Sequence, residues 1–76
     1  MTTATVTVRN STYAVAFESD EGEQRPTLRN SRGQFAGFVF TFCNGVSLVM
    51  GAPKNWNDSE NRKAARAALI ALEQAA

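Results

Sequence analysis

The sequence predicts an α+β fold, an antiparallel β-sheet of four to five strands with one C-terminal α-helix packed on one face. Three observations carry that expectation. Residues 4–9 alternate strictly, an Asn44-Gly45 pair separates two apolar runs, and residues 58–75 are rich in strong helix formers with no Gly or Pro among them. With 76 residues there is room for one core, so the whole chain, 1–76, is read as a single domain. Hydrophobic residues at 43% and charged residues at 20% lie near globular averages, which argues against disorder.

In chain order, Ala4, Val6 and Val8 fall on one face and Thr5, Thr7 and Arg9 on the other, which predicts a half-buried strand at about residues 3–9. Asn10-Ser11 are turn formers. Tyr13, Val15 and Phe17 then resume the period of two, so a strand at about 12–18 closes a first hairpin. Residues 19–26, with Asp20, Glu21 and Glu23 around Gly22, are expected to form a solvated loop, and Pro26 argues against central pairing. A short edge strand before an Asn30-Ser31-Arg32-Gly33 turn is the expectation for 27–33.

Asn and Gly both tolerate positive φ, so Asn44-Gly45 predicts a two-residue type I′ loop joining strands at about 35–43 and 46–51. That loop pairs Cys43 with Val46, Thr41 with Leu48, Phe40 with Val49 and Val39 with Met50. One face then carries Phe38, Phe40, Phe42 and Val49; the other carries Val39, Thr41, Cys43, Val46, Leu48 and Met50. Both are apolar, and one helix covers one of them. The other calls for the first hairpin, a second subunit or a partner. The Phe ladder is expected to pack into the core, the functional alternative being a platform for stacked bases. Cys43 reads as a small buried hydrophobe.

An irregular connection through Trp56 leads to Asn57, which caps a helix at about 58–75 with Glu60 three residues on. At 100° per residue Ala65, Ala68, Leu69, Leu72 and Ala76 form the stripe expected to face the sheet.

Composition bounds function. The chain has no His, which removes His-based acid–base chemistry and His-containing metal sites, and its one Cys supplies neither an intrachain disulfide nor a thiolate zinc site. No catalytic residue, metal or cofactor is expected, and the chain is not read as an enzyme. The longest apolar stretch, 35–43, is less than half the roughly 20 residues that cross a bilayer. No membrane association is expected, and with no charged, apolar leader at its start the chain is assigned to the cytoplasm. A net charge of +1 leaves basic contacts local.

Arg62, Lys63 and Arg66 crowd the first half of the helix, where the macrodipole is positive and Arg62 repels Arg66. Local energetics do not account for them. Ile70 projects about 150° from the core stripe and joins Arg66 and Glu73 in a mixed apolar and charged patch. Arg62, Lys63, Arg66 and Ile70 therefore form the candidate partner-binding set, a protein partner being expected together with a homodimer through the hairpin sheet face. The alternative is a small nucleic-acid-binding domain, with Arg29, Arg32, Lys54 and the basic helix on phosphate and Trp56 or a Phe for stacking.

Two resemblances bear on these expectations. Thr5-Val6-Thr7-Val8-Arg9-Asn10-Ser11-x-Tyr13-x-Val15-x-Phe17-Glu18-x-Asp20-x-Gly22 resembles the opening hairpin of the small type I-F anti-CRISPR proteins of phage, over about a quarter of the chain. That likeness implies a non-enzymatic inhibitor that binds a host defence complex. Phe40-x-Phe42, Asn44-Gly45, Trp56 and a helix with Ala65 and Leu69 are similar to one repeat of the YegP-like family. It implies a β-β-β-α shape, often paired through its sheet.

Overall fold

A computed structural model describes residues 3–75. Its elements are β1 (Thr3–Val8), β2 (Ser11–Asp20), β3 (Glu23–Arg29), β4 (Phe35–Thr41), β5 (Ser47–Met50) and α1 (Asp58–Ala75). The strands make one antiparallel meander in the order β1-β2-β3-β4-β5, so β3 is central and β1 and β5 are the edges. The sheet curls, and α1 packs on one face with its main contacts on the two edge strands. The predicted α+β fold is the fold observed, with five strands, the upper of the expected four to five.

The first hairpin turns one residue earlier than expected. Arg9 and Asn10 both hold left-handed φ, 50° and 67°, and Val8 pairs with Ser11. A two-residue loop of this hand matches the strand twist. Val6, Tyr13 and Val15 thereby fall on the face that α1 covers, and all three are buried.

The expected loop at 19–26 is replaced by strand. β2 runs on to Asp20, Glu21 and Gly22 turn with φ of 52° and 83°, and β3 starts at Glu23. Glutamates fit strands here because arginines take up their charge: Glu18 stands opposite Arg25 and binds Arg29, and Glu23 pairs with Arg25 along β3. Pro26 lies inside β3, opposite Phe17. It is tolerated because pairing to β4 occurs at Thr27↔Phe38 and Arg29↔Phe35, beyond the proline. The segment expected to be an edge strand is thus the C-terminal half of the central one. Asn30 closes the turn before β4, its carboxamide oxygen accepting from the N–H groups of Arg32 at 2.9 Å and Gln34 at 3.0 Å.

β4 bulges where Ala36 and Gly37 together stand opposite Leu28, between the two β3–β4 pairs. Gly37 has φ of 118°, and a Cβ there would lie 2.5 Å from the Val49 side chain. No other residue fits.

The second hairpin corrects the predicted register by one position. Phe38 pairs with Met50, Val39 with Val49, Phe40 with Leu48 and Thr41 with Ser47. The loop has three residues, 43–45, closed by the Phe42 N–H donating to Val46 at 2.8 Å and the Gly45 N–H to Phe42 at 2.9 Å. Gly45, with φ of 87°, takes the left-handed place that ends such a loop. One residue of slip moves every side chain on β5 to the other face. Val49 joins Val39 in the core, whereas Leu48 and Met50 join the phenylalanines. Cys43, expected to be buried, is exposed in the turn.

The core is Val6, Tyr13, Val15, Leu28, Ala36, Val39 and Val49 from the sheet with Ala64, Ala65, Ala68 and Leu72 from α1. The predicted stripe holds for Ala65, Ala68 and Leu72; Ala64 joins it, Leu69 is half-buried, and Ala76 lies outside the described residues. Alanine methyls let the helix sit close on the sheet, which lets a thin stripe suffice.

Candidate binding surfaces

The face of the sheet away from α1 has no element over it. Phe38 and Phe40 are half-buried there, while Phe35, Phe42 and Met50 are exposed, so the ladder is not the enclosed core that was expected. Arg25 covers part of it: its guanidinium carbon stands 5.4 Å from the Phe38 ring centre and 5.7 Å from that of Phe40. Stacking of this kind shields ring faces while leaving the charge in contact with water. Phe40 and Phe42 meet edge to face at 4.9 Å.

The outer face of α1 is different in character. Its start is fixed by the predicted capping box, the Glu60 N–H donating to the Asn57 carboxamide at 2.8 Å and the Asn57 N–H to the Glu60 carboxylate at 2.9 Å. Glu60 is also paired with Arg9, an ion pair that ties the end of β1 to the first helical turn. These bonds hold the Glu60 carboxyl below its ordinary value and raise Arg9. From this anchored start Arg62, Lys63 and Arg66 project into solvent with Ile70 beyond them. Among the described residues none of the three cations forms an ion pair, whereas Arg9, Arg25 and Arg29 are each matched with a glutamate. Arg62 and Arg66 also line a groove with Leu69 and the β4–β5 turn at Gly45 and Ser47.

The second predicted set is not brought together. Arg29 makes a two-pronged bond to Glu18, 2.8 Å for each contact, and donates to the Gly33 carbonyl at 3.0 Å. The guanidinium lowers the Glu18 carboxyl pKa, and Glu18 raises that of Arg29. A guanidinium so engaged is a brace between β2 and the β3–β4 turn. Arg32 is exposed beside Asn10 and Asn30, and Lys54 is exposed in the connection before α1. Trp56 is half-buried, its ring set edge-on to Tyr13 at 5.6 Å. It packs against the core. The phenylalanine ladder and the basic helix face lie on opposite sides of the sheet.

Sequence reasoning missed Asn61. Its carboxamide accepts from the Val49 N–H at 2.6 Å and donates to the Val49 carbonyl at 3.0 Å. The signal was available: Asn61 sits one turn before Ala65 on the sheet-facing stripe, where a polar residue of poor helix propensity calls for a partner.

Among the described residues no group of three or more Cys, Asp or Glu converges as a metal site, and no helix is long and apolar enough to cross a membrane. Comparison with protein-family models, with curated proteins and with solved structures finds no match to this chain.

Proposed function

We propose that the chain is a non-enzymatic binding module of the cytoplasm that docks through Arg62, Lys63, Arg66 and Ile70 onto an acidic protein surface. The observation that carries this reading is the absence of any ion pair to those three cations among the described residues, in a fold that matches Arg9, Arg25 and Arg29 with glutamates. Three like charges within one and a half turns repel, and the repulsion is relieved when an anionic surface meets them. Ile70, 46% exposed, adds an apolar anchor beside the charges, the mixture found at interfaces. Lack of histidine supports the non-enzymatic part. The likeness of the first hairpin to phage anti-CRISPR proteins supports a host defence complex as the kind of partner.

Protein is favoured over nucleic acid by one arrangement. A stacking ring beside the phosphate-binding charges is the usual device for single strands, and here Trp56 is packed on Tyr13 while the phenylalanines face the other way. The test is capture of partners from host lysate with the wild-type chain and with Arg62→Glu/Arg66→Glu, alongside gel shifts with DNA and RNA. The expected result is a specific acidic protein retained by the wild type, lost from the double variant, with an unchanged circular dichroism spectrum. Equal capture by both proteins removes the helix face from the proposal, and salt-sensitive retention of nucleic acid replaces it with the alternative.

A further inference from the structure

The sheet has two edges, and the fold treats them differently. At β5 the outward N–H and C=O of Val49 are taken by Asn61, so a helix side chain fills the place of a neighbouring strand. β5 is also only four residues long. At β1 nothing comparable occurs. Its six residues, Thr-Ala-Thr-Val-Thr-Val, contain no charge, Pro, Gly or bulge, and those are the usual devices that keep an edge from pairing. Along this edge α1 lines a groove with Glu60, Lys63, Ala64 and Ala67; Glu60 bonds the Arg9 side chain, and among the described residues none of the four bonds the main chain of β1.

The hairpin geometry says which groups are free. In a two-residue loop the flanking pair, here Val8 and Ser11, is hydrogen-bonded, so Val6 and Ala4 also bond inward to β2. Thr3, Thr5 and Thr7 therefore direct their N–H and C=O outward. Among the described residues no partner meets them.

We propose that two copies of this chain join through their β1 edges, antiparallel about a two-fold axis normal to the sheet at Thr5, making one continuous sheet. Antiparallel pairs share a face, and a two-fold axis keeps each residue on its own face. Residue numbers of paired positions must then sum to an even value. Of the even registers, the one centred on Thr5 uses every outward group: Thr5 bonds Thr5 of the other copy and Thr3 bonds its Thr7, about six hydrogen bonds in all. Thr–Thr pairs line the open face and Ala4–Val6 pairs the helix face, both favourable cross-strand matches with no like charges opposed. Arg9, the charged residue that follows the strand in sequence, is paired with Glu60, and Lys63 stands in the same groove beside that carboxylate. A second copy fits for these reasons better than a strand of unrelated sequence.

The test is mass by light scattering or sedimentation over a range of concentrations. The wild type is expected at twice 8.2 kDa, with Thr5→Pro and Thr5→Lys at 8.2 kDa and an unchanged far-ultraviolet spectrum. Proline removes an N–H that the single chain does not use, and lysine sets two like charges together at the axis. Should Thr5→Pro fail to fold, Thr5→Lys decides alone, since that side chain lies on the exposed face opposite Ala14. Arg62→Glu/Arg66→Glu, at the other edge, is expected to leave the dimer intact, which separates this inference from the docking face above. A wild-type mass of 8.2 kDa at millimolar concentration overturns the proposal. So does a dimer that survives Thr5→Lys, one that dissociates in the helix variant, or protection of the Thr3, Thr5 and Thr7 amides only when another protein is added.

Discussion

The carboxamide of Asn61 holds both main-chain groups of Val49, accepting at 2.6 Å and donating at 3.0 Å, so the first turn of α1 is stitched to the edge of the sheet. This bond sets the helix along β5 while the Arg9–Glu60 pair sets it along β1. Asn61→Ala leaves two half-buried backbone groups unpaired. A loss of about 1 to 3 kcal/mol is expected in urea unfolding followed by Trp56 fluorescence. Asn61→Asp, which keeps the acceptor for the N–H and loses the donor, is expected to fall between the two.

Gly37 marks a second point of close approach. Alanine there meets Val49 at 2.5 Å and the Met50 carbonyl at 2.9 Å, with φ held at 118°. Gly37→Ala is expected to cost at least about 2 kcal/mol, read as a lowered denaturation midpoint. An unchanged midpoint means that the bulge can relax.

Leu28 and Val15 are paired across β2 and β3 and are both fully buried. Leu28→Ala is expected to lose about 2 to 5 kcal/mol, because a cavity is left under a well-packed helix. Phe42→Ala, on the uncovered face, is expected to lose less than about 1 kcal/mol. Comparable losses at both positions place the phenylalanine ladder in a buried environment and contradict the open face.

Glu18 and Glu60 make the chain sensitive to acid. Both carboxyls titrate below their ordinary 4.5 in the folded chain, Glu18 through its bonds to Arg29 and Glu60 through Arg9 and the Asn57 N–H. A lowered folded-state value means that folding favours the ionised form. Their contribution is complete above about 4.5 and is lost as pH falls through the depressed values. Denaturation midpoints measured from about pH 7 to pH 2 should therefore decline at the acid end, and the decline should be shallower in Glu18→Gln/Glu60→Gln. An identical slope in the double variant assigns the acid limb to other groups.

Much of the fold was legible in the order of residues. Strict alternation over 4–9 and the period of two in Tyr13, Val15 and Phe17 specified the first hairpin, and the run of Ala, Leu, Lys, Arg and Glu behind an Asn-x-x-Glu cap specified α1 to within a residue. The acidic stretch misled because charge and proline were weighed as solvent signals. In the folded chain Glu18 stands across from Arg25 and binds Arg29, while Glu23 pairs with Arg25 along β3, and these contacts make the two glutamates acceptable in strands. Of the candidate sites, the basic helix face was visible because its charges sit where local energetics disfavour them. Trp56 and Arg29 were grouped with it by residue type, and the structure engages both elsewhere.

Local pattern sets periodicity, caps and turn propensity, all of which act over a few residues, and those alone suffice for an α+β chain with a C-terminal helix. The choice between a two- and a three-residue loop at Asn44-Gly45 belongs to packing over the whole molecule. Burying Val49 against the helix moves Leu48 and Met50 outward with the phenylalanines. Which edge is sealed is likewise decided across twelve residues, by an asparagine meeting a strand that its own neighbours cannot reveal.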